Sequence, residues 1–407
     1  MRGEAVKMEQ ITEAELAEQK RKEMIEEEFG LKVLDNKSAL NTRNLWKKAV
    51  PNSSEGFLDY YYESRIKKSL VFALEDGEVY SMLHLAPYFA AIRRNPPLPG
   101  ARRLPCMADV VRIDANLISM AATQEEYRKK GSMKKLICGA LEYQRRKNVP
   151  LCIANTDNQE FFEQFGFHYI YNQPQYELNL EMITIEMLKR AADGENVPLN
   201  QQNVILTAVD NDRLLSLAHF VNANLCRYYG LFVIRSAVYY EHLLDELKSD
   251  GGNLYQIVEN GTIQGYFAYA QNEDCKIREA VFEKESDVER YFQKSNANKP
   301  AAMARIVNLP EMLKHISSNG KVTIAIQMQD PVIAENNGLF IWYLDEKGSR
   351  MERVDESKGG EEPSMRPEVT TTIGAFTAFL FEYEKLKQNL KFDSIYLSGP
   401  AWINEKY

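Results

Sequence analysis

The sequence predicts an α/β (α+β) protein that has two mixed-sheet domains followed by a third, α+β domain. Its 407 residues exceed what one hydrophobic core usually holds, so two or three domains are expected. In the first half a strand, a basic glycine turn, an amphipathic helix and further strands follow one another. A second α/β pattern runs from Val204 to about residue 300, and a third set of strands and one apolar helix follows it.

Taken in order, the elements divide the chain into four predicted parts. Residues 1–38 form a charged N-terminal helical extension, whose helix over 8–29 lies on the surface. Residues 39–190 form the first domain, with helices near Trp46 and over 57–62 and strands at 70–74 and 80–85. A polar linker opens the second domain, 191–300, in which Asn260-Gly261 predicts a hairpin between strands 254–258 and 263–269. Residues 301–407 form the last domain.

A basic turn is the most informative segment of the first domain. A buried strand over 117–122 precedes Arg128-Lys129-Lys130-Gly131, and apolar residues then fall at helical spacing at 133, 136, 137, 140 and 141. Strand, glycine turn and helix together aim free backbone N–H groups and a helix dipole at an anion. The alternative is a solvated basic turn before an ordinary core helix, and the turn alone leaves both interpretations open.

The elements after this turn extend the pattern. A strand over 151–155, a short helix over 158–165 capped by Gly166, and a strand over 167–171 follow in order. This order resembles the acyl-CoA-binding half of the GNAT acetyltransferases. The resemblance implies that acetyl-CoA is bound through its pantetheine arm and its pyrophosphate by Ser119, Met120, Ala121, Arg128, Lys129, Lys130, Gly131, Ser132 and Met133. Two positions depart from the family pattern. Met133 replaces a Gly or Ala, and Phe162 replaces the tyrosine four residues before Gly166.

The later segments resemble one bacterial group within that family. Segments 81–88, 265–267, 303–308, 322–328, 339–344 and 370–376 occur in the order found in the Eis (enhanced intracellular survival) proteins. These are tandem GNAT proteins with a C-terminal sterol-carrier-like domain. The resemblance therefore implies two GNAT-like domains and a sterol-carrier-like domain. The second domain shows no basic glycine turn before a helix, so it is expected not to hold CoA.

The resemblance implies transfer of an acetyl group from acetyl-CoA to the amine of a small molecule or peptide. It places the base at the terminal α-carboxylate of Tyr407, for which a surface tail without a catalytic role is the alternative. It places the general acid at the position of Phe162, whose ring cannot donate a proton. Water, Tyr169 or Tyr171 are the alternative donors. A catalytically weak or inactive acyl-CoA-binding or structural protein therefore stays open, as does a lipid-carrier role for the last domain. Aminoglycosides, polyamines, peptide N-termini and protein lysines all stay open as acceptors.

Composition narrows the class of partner. The net charge of −8 argues against nucleic acid and is compatible with cationic amines. The sequence has no apolar run long enough for a membrane span and no secretory leader pattern. Its five cysteines are odd in number and scattered, which favours a reducing cytoplasm. The five histidines show no zinc-binding spacing, so no metal is expected. A homo-oligomer is expected.

Overall fold

The computed structural model describes residues 12–94, 104–156, 158–199, 203–271, 276–294, 298–354, 366–386 and 390–405. The strands, numbered along the chain, are β1 (Lys32–Leu34), β2 (Leu70–Asp76), β3 (Glu78–Arg93), β4 (Val110–Thr123), β5 (Leu151–Asn155), β6 (His168–Gln173), β7 (Tyr176–Leu178), β8 (Val197–Pro198), β9 (Val204–Ala208), β10 (Leu231–Val233), β11 (Asn253–Glu259), β12 (Thr262–Tyr269), β13 (Ile277–Phe282), β14 (Phe292–Lys294), β15 (Lys299–Ile306), β16 (Ser317–Ser318), β17 (Val322–Gln329), β18 (Gly338–Asp345), β19 (Gly348–Arg353), β20 (Val369–Thr372), β21 (Ile395–Tyr396) and β22 (Ala401–Trp402). The helices are α1 (Glu13–Phe29), α2 (Asn36–Ala39), α3 (Arg43–Ala49), α4 (Glu55–Glu63), α5 (Ser132–Arg146), α6 (Gln159–Glu163), α7 (Ile185–Ala192), α8 (Leu214–Tyr228), α9 (Ala237–Ser249), α10 (Val288–Tyr291), α11 (Leu309–Leu313) and α12 (Ile373–Leu380).

The largest sheet has strand order β1-β2-β3-β4-β5-β15-β6. Neighbours along this path are antiparallel except β4 and β5, which run parallel. A parallel pair needs a crossover, and α5 supplies it. The helix packs its apolar stripe, including Leu136, Ile137, Ala140 and Leu141, into a core shared with the sheet. The mixed α/β class predicted from the sequence is confirmed.

Strands from far along the chain complete this first sheet. β15 lies between β5 and β6, and the predicted boundary between residues 300 and 301 falls inside it. β10 extends the far end of β3, and β22 adds to β10 in parallel. Segments beyond residue 190 therefore form part of the first sheet. The division into four parts at 38, 190 and 300 stays a prediction.

The second sheet has the order β13-β12-β11-β9-β8, and its pairs are antiparallel. The hairpin predicted around Asn260-Gly261 is confirmed, because β11 and β12 pair directly across it. Asn260 and Gly261 have φ values of 49° and 79°, the left-handed conformation that a tight hairpin turn requires. Within the described residues, no parallel pair like β4 and β5 occurs in this sheet.

The third sheet has the order β19-β18-β17-β20, in which only the β17–β20 pair is parallel. α12 follows β20 and packs against β15 and β6 of the first sheet. The Thr377 hydroxyl on α12 accepts a hydrogen bond from the Ile306 N–H at 3.1 Å. The third unit is therefore joined to the first sheet beside the short helix α6. Its likeness to a sterol carrier stays a prediction.

The predicted N-terminal helix is present over its described part as α1. Thr12 caps its start with a capping box, and Gly30 ends it in the left-handed conformation. Its one fully buried residue is Ile25, which packs into the core beside α5. In the described part of the chain, no helix combines the length and apolar character that crossing a lipid bilayer requires.

Candidate functional site

The parallel pair β4 and β5 opens at one point. The two strands are paired from Ala115 and Leu151 as far as Ile118 and Ala154. Two residues later Met120 has φ 45°, and the pairing of β4 with β3 shifts register at the same place. A positive φ in a bulky residue is a local bulge that bends the strand. The pairing of β4 with β5 thus ends just before Ser119 and Met120, and we call this place the opening between the two strands.

The basic turn follows directly from this opening. Lys129 and Gly131 have φ values of 60° and 84°, and Gly131 is the N-cap of α5. The Lys135 N–H, which donates to the Gly131 carbonyl at 3.0 Å, makes the first bond of the helix. The amides before it point out of the helix end without intrahelical partners. A Cβ on Gly131 would meet no atom within 4 Å, so the turn is open beside this residue.

The predicted CoA-binding residues fall into two groups at the same edge of the sheet. On β4, Ser119 and Met120 are buried and Ala121 is exposed. In the turn, Arg128, Lys129 and Lys130 are exposed, Ser132 is buried and Met133 is half-buried. The Arg128 Nε donates to the Thr123 carbonyl at 3.0 Å, which ties the turn to the end of β4. The residues chosen from the sequence therefore form one strand–turn–helix edge.

Phe162 lies in an aromatic cluster at the other side of the opening. Its ring is buried and makes edge-to-face contacts with Phe161 and Phe167, each with ring centroids 5.4 Å apart. Gly166, between α6 and β6, has φ 79°, and a Cβ there would come within 2.6 Å of the Ile373 side chain. The glycine is thus required both by its conformation and by the close approach of α12. The cluster gives Phe162 a packing role.

The two alternative tyrosine donors have other environments. The Tyr169 hydroxyl donates to the Thr156 carbonyl at 3.3 Å, just beyond the end of β5. Burial raises the pKa of Tyr171 well above its usual range, and its ring packs against Trp402 with centroids 6.4 Å apart. Tyr169 is therefore the one of the two that is tied to the end of β5.

The C-terminal segment returns to the first sheet. β22 pairs with β10, and beyond it the Glu405 carbonyl accepts a hydrogen bond from the Asn155 side chain at 3.0 Å. Asn155 is the last residue of β5, so residue 405 lies beside the opening between β4 and β5. Tyr407, the predicted base, lies outside the described residues.

A buried ionic cluster anchors this segment. Arg235 is fully buried and is paired with Glu405 and with Glu279, the latter at 3.1 Å. The Tyr239 hydroxyl also donates to Glu405, at 3.3 Å. Glu405 further borders a cavity of about 20 Å³, large enough for one water. Sequence reasoning missed this cluster because its members are 170 and 44 residues apart from Arg235, and no local pattern joins them.

A second buried polar cluster lies under Ser119 and was also missed. His84 on β3 contacts the Tyr61 hydroxyl at 3.0 Å through Nδ1 and the Thr42 hydroxyl at 3.3 Å through Nε2. Tyr61 in turn lies 3.5 Å from the Ser119 hydroxyl. The aromatic run at 57–62 was predicted as a helix, but the histidine that it faces comes from a strand over 20 residues later.

Metal-binding side chains are not grouped in the described part of the chain, where no three His, Cys, Asp or Glu residues meet in a way that could hold an ion. Four of the five cysteines are described, and each is a free thiol. Cys275 lies outside the described residues. Burial raises the pKa of Cys152 to about 12, so this thiol stays protonated.

Comparison with known proteins identifies the fold. No protein-family model and no curated protein sequence matches the chain. Among solved structures, it is similar to a GCN5-related N-acetyltransferase (GNAT) from Anabaena variabilis, with 15% identity, a TM-score of 0.65 and coverage of 93% of this chain and 100% of that one. A probable N-acyltransferase from Enterococcus faecalis matches with 16% identity, a TM-score of 0.64 and coverage of 88% and 93%. Eis1 from Mycobacterium abscessus matches with 10% identity, a TM-score of 0.62 and coverage of 93% and 100%. The chain therefore has the fold of the GNAT N-acetyltransferases over most of its length.

Proposed function

We propose that the protein is an acetyl-CoA-dependent N-acetyltransferase that acts on an amine-bearing small molecule or peptide. The observation that carries the proposal is the opening between β4 and β5 at Met120, directly above the basic turn that begins α5. The opening offers backbone partners for an extended arm that carries amide groups. The basic turn offers N–H groups and three cations for a diphosphate. The distribution of these groups matches the chemistry of acetyl-CoA.

The residues of the turn fit this ligand. Gly131 leaves room for a phosphate to approach the backbone, and Arg128, Lys129 and Lys130 place positive charge around it. Ser119, Met120 and Ala121 would bind the pantetheine arm, and Ser132 and Met133 would complete the pyrophosphate site at the helix end. The second sheet lacks a comparable parallel pair in its described residues. We therefore propose one acetyl-CoA site per chain.

The acceptor must lose protons for the transfer to occur. An alkylammonium is free base to only about one part in 2,000 at pH 7, so a base or a water path must remove a proton. We propose the α-carboxylate of Tyr407 as this base, which the course of residues 401–405 toward β5 supports. An extension added after Tyr407 should then lower turnover far more than acetyl-CoA affinity, and equal turnover would remove Tyr407 from the mechanism.

The proposal is tested by titration calorimetry with acetyl-CoA, followed by measurement of thiol release with a panel of amines. Gly131→Asp should weaken acetyl-CoA binding at least tenfold, because it places a carboxylate where the pyrophosphate lies. Gly261→Asp is the matched control, since Gly261 is also an open turn glycine with positive φ but lies in the second sheet. Two equivalent sites per chain, or equal binding by Gly131→Asp and the wild type, would contradict the proposal.

A second function is favoured by one residue. Phe162 stands where the resembling family has its proton donor, and its buried ring packs as a core residue. We propose as the alternative an acyl-CoA-binding protein with weak or no transferase activity. Binding of acetyl-CoA without amine-dependent thiol release would favour it.

We also propose that the protein is a homo-oligomer. Light scattering coupled to size-exclusion chromatography tests this proposal.

A further inference from the structure

A chain of buried polar groups runs from the start of α3 to the opening in the sheet. Its members are Thr42, His84, Tyr61 and Ser119, and none of them is more than 5% exposed. The Thr42 hydroxyl donates to the Ala39 carbonyl at 2.6 Å. The separations from Thr42 through His84 and Tyr61 to Ser119 are 3.3, 3.0 and 3.5 Å. The last contact is at the long end of the hydrogen-bond range.

The donor in each of these contacts follows by elimination. A hydroxyl has one proton, and that of Thr42 is used on Ala39, so Thr42 accepts from His84 Nε2. Burial lowers the pKa of His84 to about 3, so at pH 7 its ring is neutral and carries one N–H. With the proton on Nε2, the Nδ1 atom accepts, and Tyr61 donates to it. The Tyr61 oxygen is then an acceptor, and Ser119 donates to it.

The pKa of Tyr61 is consistent with this order. Burial raises the pKa of Tyr61 to about 12, while hydrogen bonding with the Ser119 and Ser69 hydroxyls opposes that rise. The chain therefore has one direction, and it ends with the Ser119 proton turned toward Tyr61 and the Ser119 lone pairs turned away from it.

We propose that Tyr61 and His84 are positioning residues that hold the Ser119 hydroxyl as a hydrogen-bond acceptor for an N–H of the acceptor amine. This inference rests on the proposed function, because Ser119 lies where β4 leaves β5, at the site proposed for the pantetheine arm that carries the thioester. The chain moves no proton. It decides only which way the serine hydroxyl points.

The direction matters for the chemistry of the amine. A serine free to rotate could donate to the amine nitrogen and occupy the lone pair that must attack the thioester carbonyl. A serine whose proton is held by Tyr61 can only accept from the amine, which leaves that lone pair free. Such an acceptor also replaces part of the hydration that a cationic amine loses on entering the site.

The kinetic test uses Ser119→Ala, Tyr61→Phe and the double variant, each with acetyl-CoA affinity measured alongside. Ser119→Ala should lower kcat/KM for the amine about tenfold to a hundredfold, the range for a hydrogen bond to a charged group. Its acetyl-CoA affinity should stay within threefold of the wild type, because the proposed pantetheine contacts of residue 119 are made by its backbone, which the change keeps. Tyr61→Phe should lower it less, and the double variant should match Ser119→Ala because the hydroxyls act as one unit. Tyr62→Phe is the matched control. Its hydroxyl contacts Thr42 at 3.0 Å but lies off the path to Ser119, so its kcat/KM should stay near that of the wild type.

The proton direction is tested independently of activity. Nitrogen NMR of the ¹⁵N-histidine-labelled protein at pH 7 should show His84 as the neutral Nε2–H tautomer, and Tyr61→Phe should shift only its Nδ1 signal strongly. An Nδ1–H tautomer overturns the inference even if the transferase activity is present. The inference is also overturned if the effects of Ser119→Ala and Tyr61→Phe on kcat/KM are additive. It is overturned as well if these variants lose only acetyl-CoA affinity. Failure of the wild type to bind acetyl-CoA would instead overturn the proposed function, while the tautomer still decides the direction of the chain.

Discussion

At the scale of single residues, the candidate site combines two unusual backbone conformations with a packed apolar ring. The positive φ of Met120 bends β4 where it leaves β5, and the positive φ of Gly131 lies at the start of α5. Phe162, by contrast, is an apolar ring in an aromatic cluster. The proton donor for the departing thiolate is thus absent at the position where the family resemblance places it. A thiol with a pKa near 8.5 leaves without help more readily than an alcohol, so activity is still expected.

Phe162→Tyr tests whether a proton donor at this position speeds the departure of the thiolate. The change should raise turnover at neutral pH and leave acetyl-CoA affinity within a few-fold, because the ring keeps its contacts and gains a donor. An unpartnered hydroxyl in the cluster would cost about 1–3 kcal/mol of stability, so the free energy of unfolding is measured with the kinetics. Unchanged or lower turnover in a folded variant would show that the protein uses another proton route.

His84 gives a prediction for stability against pH. Its folded pKa, about 3, is depressed below the unfolded value of 6.5, so the unfolded chain binds the proton first as pH falls. The free energy of unfolding is therefore unaffected by His84 well above pH 6.5 and falls progressively below pH 6.5, because protons then bind to the unfolded chain. Between pH 6.5 and 5.5 this residue should remove about 1 kcal/mol from the free energy of unfolding. Denaturant unfolding of His84→Gln should show a correspondingly flatter pH dependence, whereas parallel curves would contradict the assignment.

At the scale of elements, the turn between α6 and β6 is held by a strand from the far side of the chain. Arg305 on β15 is fully buried, donates to the Phe165 carbonyl, and pairs with Asp330 at 2.5 Å. Asp330 also accepts from the N–H groups of Val332 and Ile333 at 2.9 and 3.0 Å. One buried ion pair therefore links the Gly166 turn, β15 and the loop after β17.

Asp330→Ala should be strongly destabilising. It leaves the Arg305 charge buried without its partner, which typically costs 3–5 kcal/mol. Thermal and denaturant unfolding measure the change. Glu352→Ala is the control, because Glu352 pairs with Arg350 on an exposed strand and its loss should leave the unfolding midpoint nearly unchanged. A similar small effect for Asp330→Ala would mean that the pair contributes little.

At the scale of the whole molecule, the first sheet gathers strands from residue 32 to residue 402. β15 and β22 follow the entire second sheet in sequence, and β10 lies between two of its strands, yet all three complete the same core. The end of the described chain is anchored there through Arg235 and Glu405. The opening is thus bordered by β4, β5 and the C-terminal segment, and it depends on their assembly.

Gly230→Ala tests this dependence. The Gly230 N–H donates to the Pro400 carbonyl at 2.8 Å, and a Cβ on Gly230 would lie 1.6 Å from the Ser398 carbonyl oxygen. The C-terminal segment must therefore shift, and we expect lower stability and lower turnover with acetyl-CoA affinity within a few-fold. Gly194→Ala is the comparison for backbone strain without a clash, since Gly194 has φ 92° and a Cβ there meets nothing within 4 Å; it should lower stability and leave turnover unchanged. Wild-type turnover in Gly230→Ala would separate the C-terminal segment from catalysis.

Features whose cause is local could be predicted from the sequence. The periodicity of 133–141 and the glycine before it predicted α5 and the turn that precedes it, because helix formation and φ preferences depend on neighbouring residues. The Asn260-Gly261 hairpin was predicted for the same reason. The edge formed by 119–121 and 128–133 could be predicted because a strand, a turn and a helix in succession place it. The roles of Phe162 and Tyr407 came from resemblance and stay predictions.

The tertiary structure alone decided which distant segments meet. The insertion of β15 beside β5, the pairing of β10 with β3 and the Arg235–Glu405 contact join residues more than 100 positions apart. The His84 chain likewise depends on a helix and two strands that pack together. The physical reason is that strand pairing and buried ion pairs satisfy hydrogen bonds without regard to sequence separation, whereas composition and periodicity record only local preference.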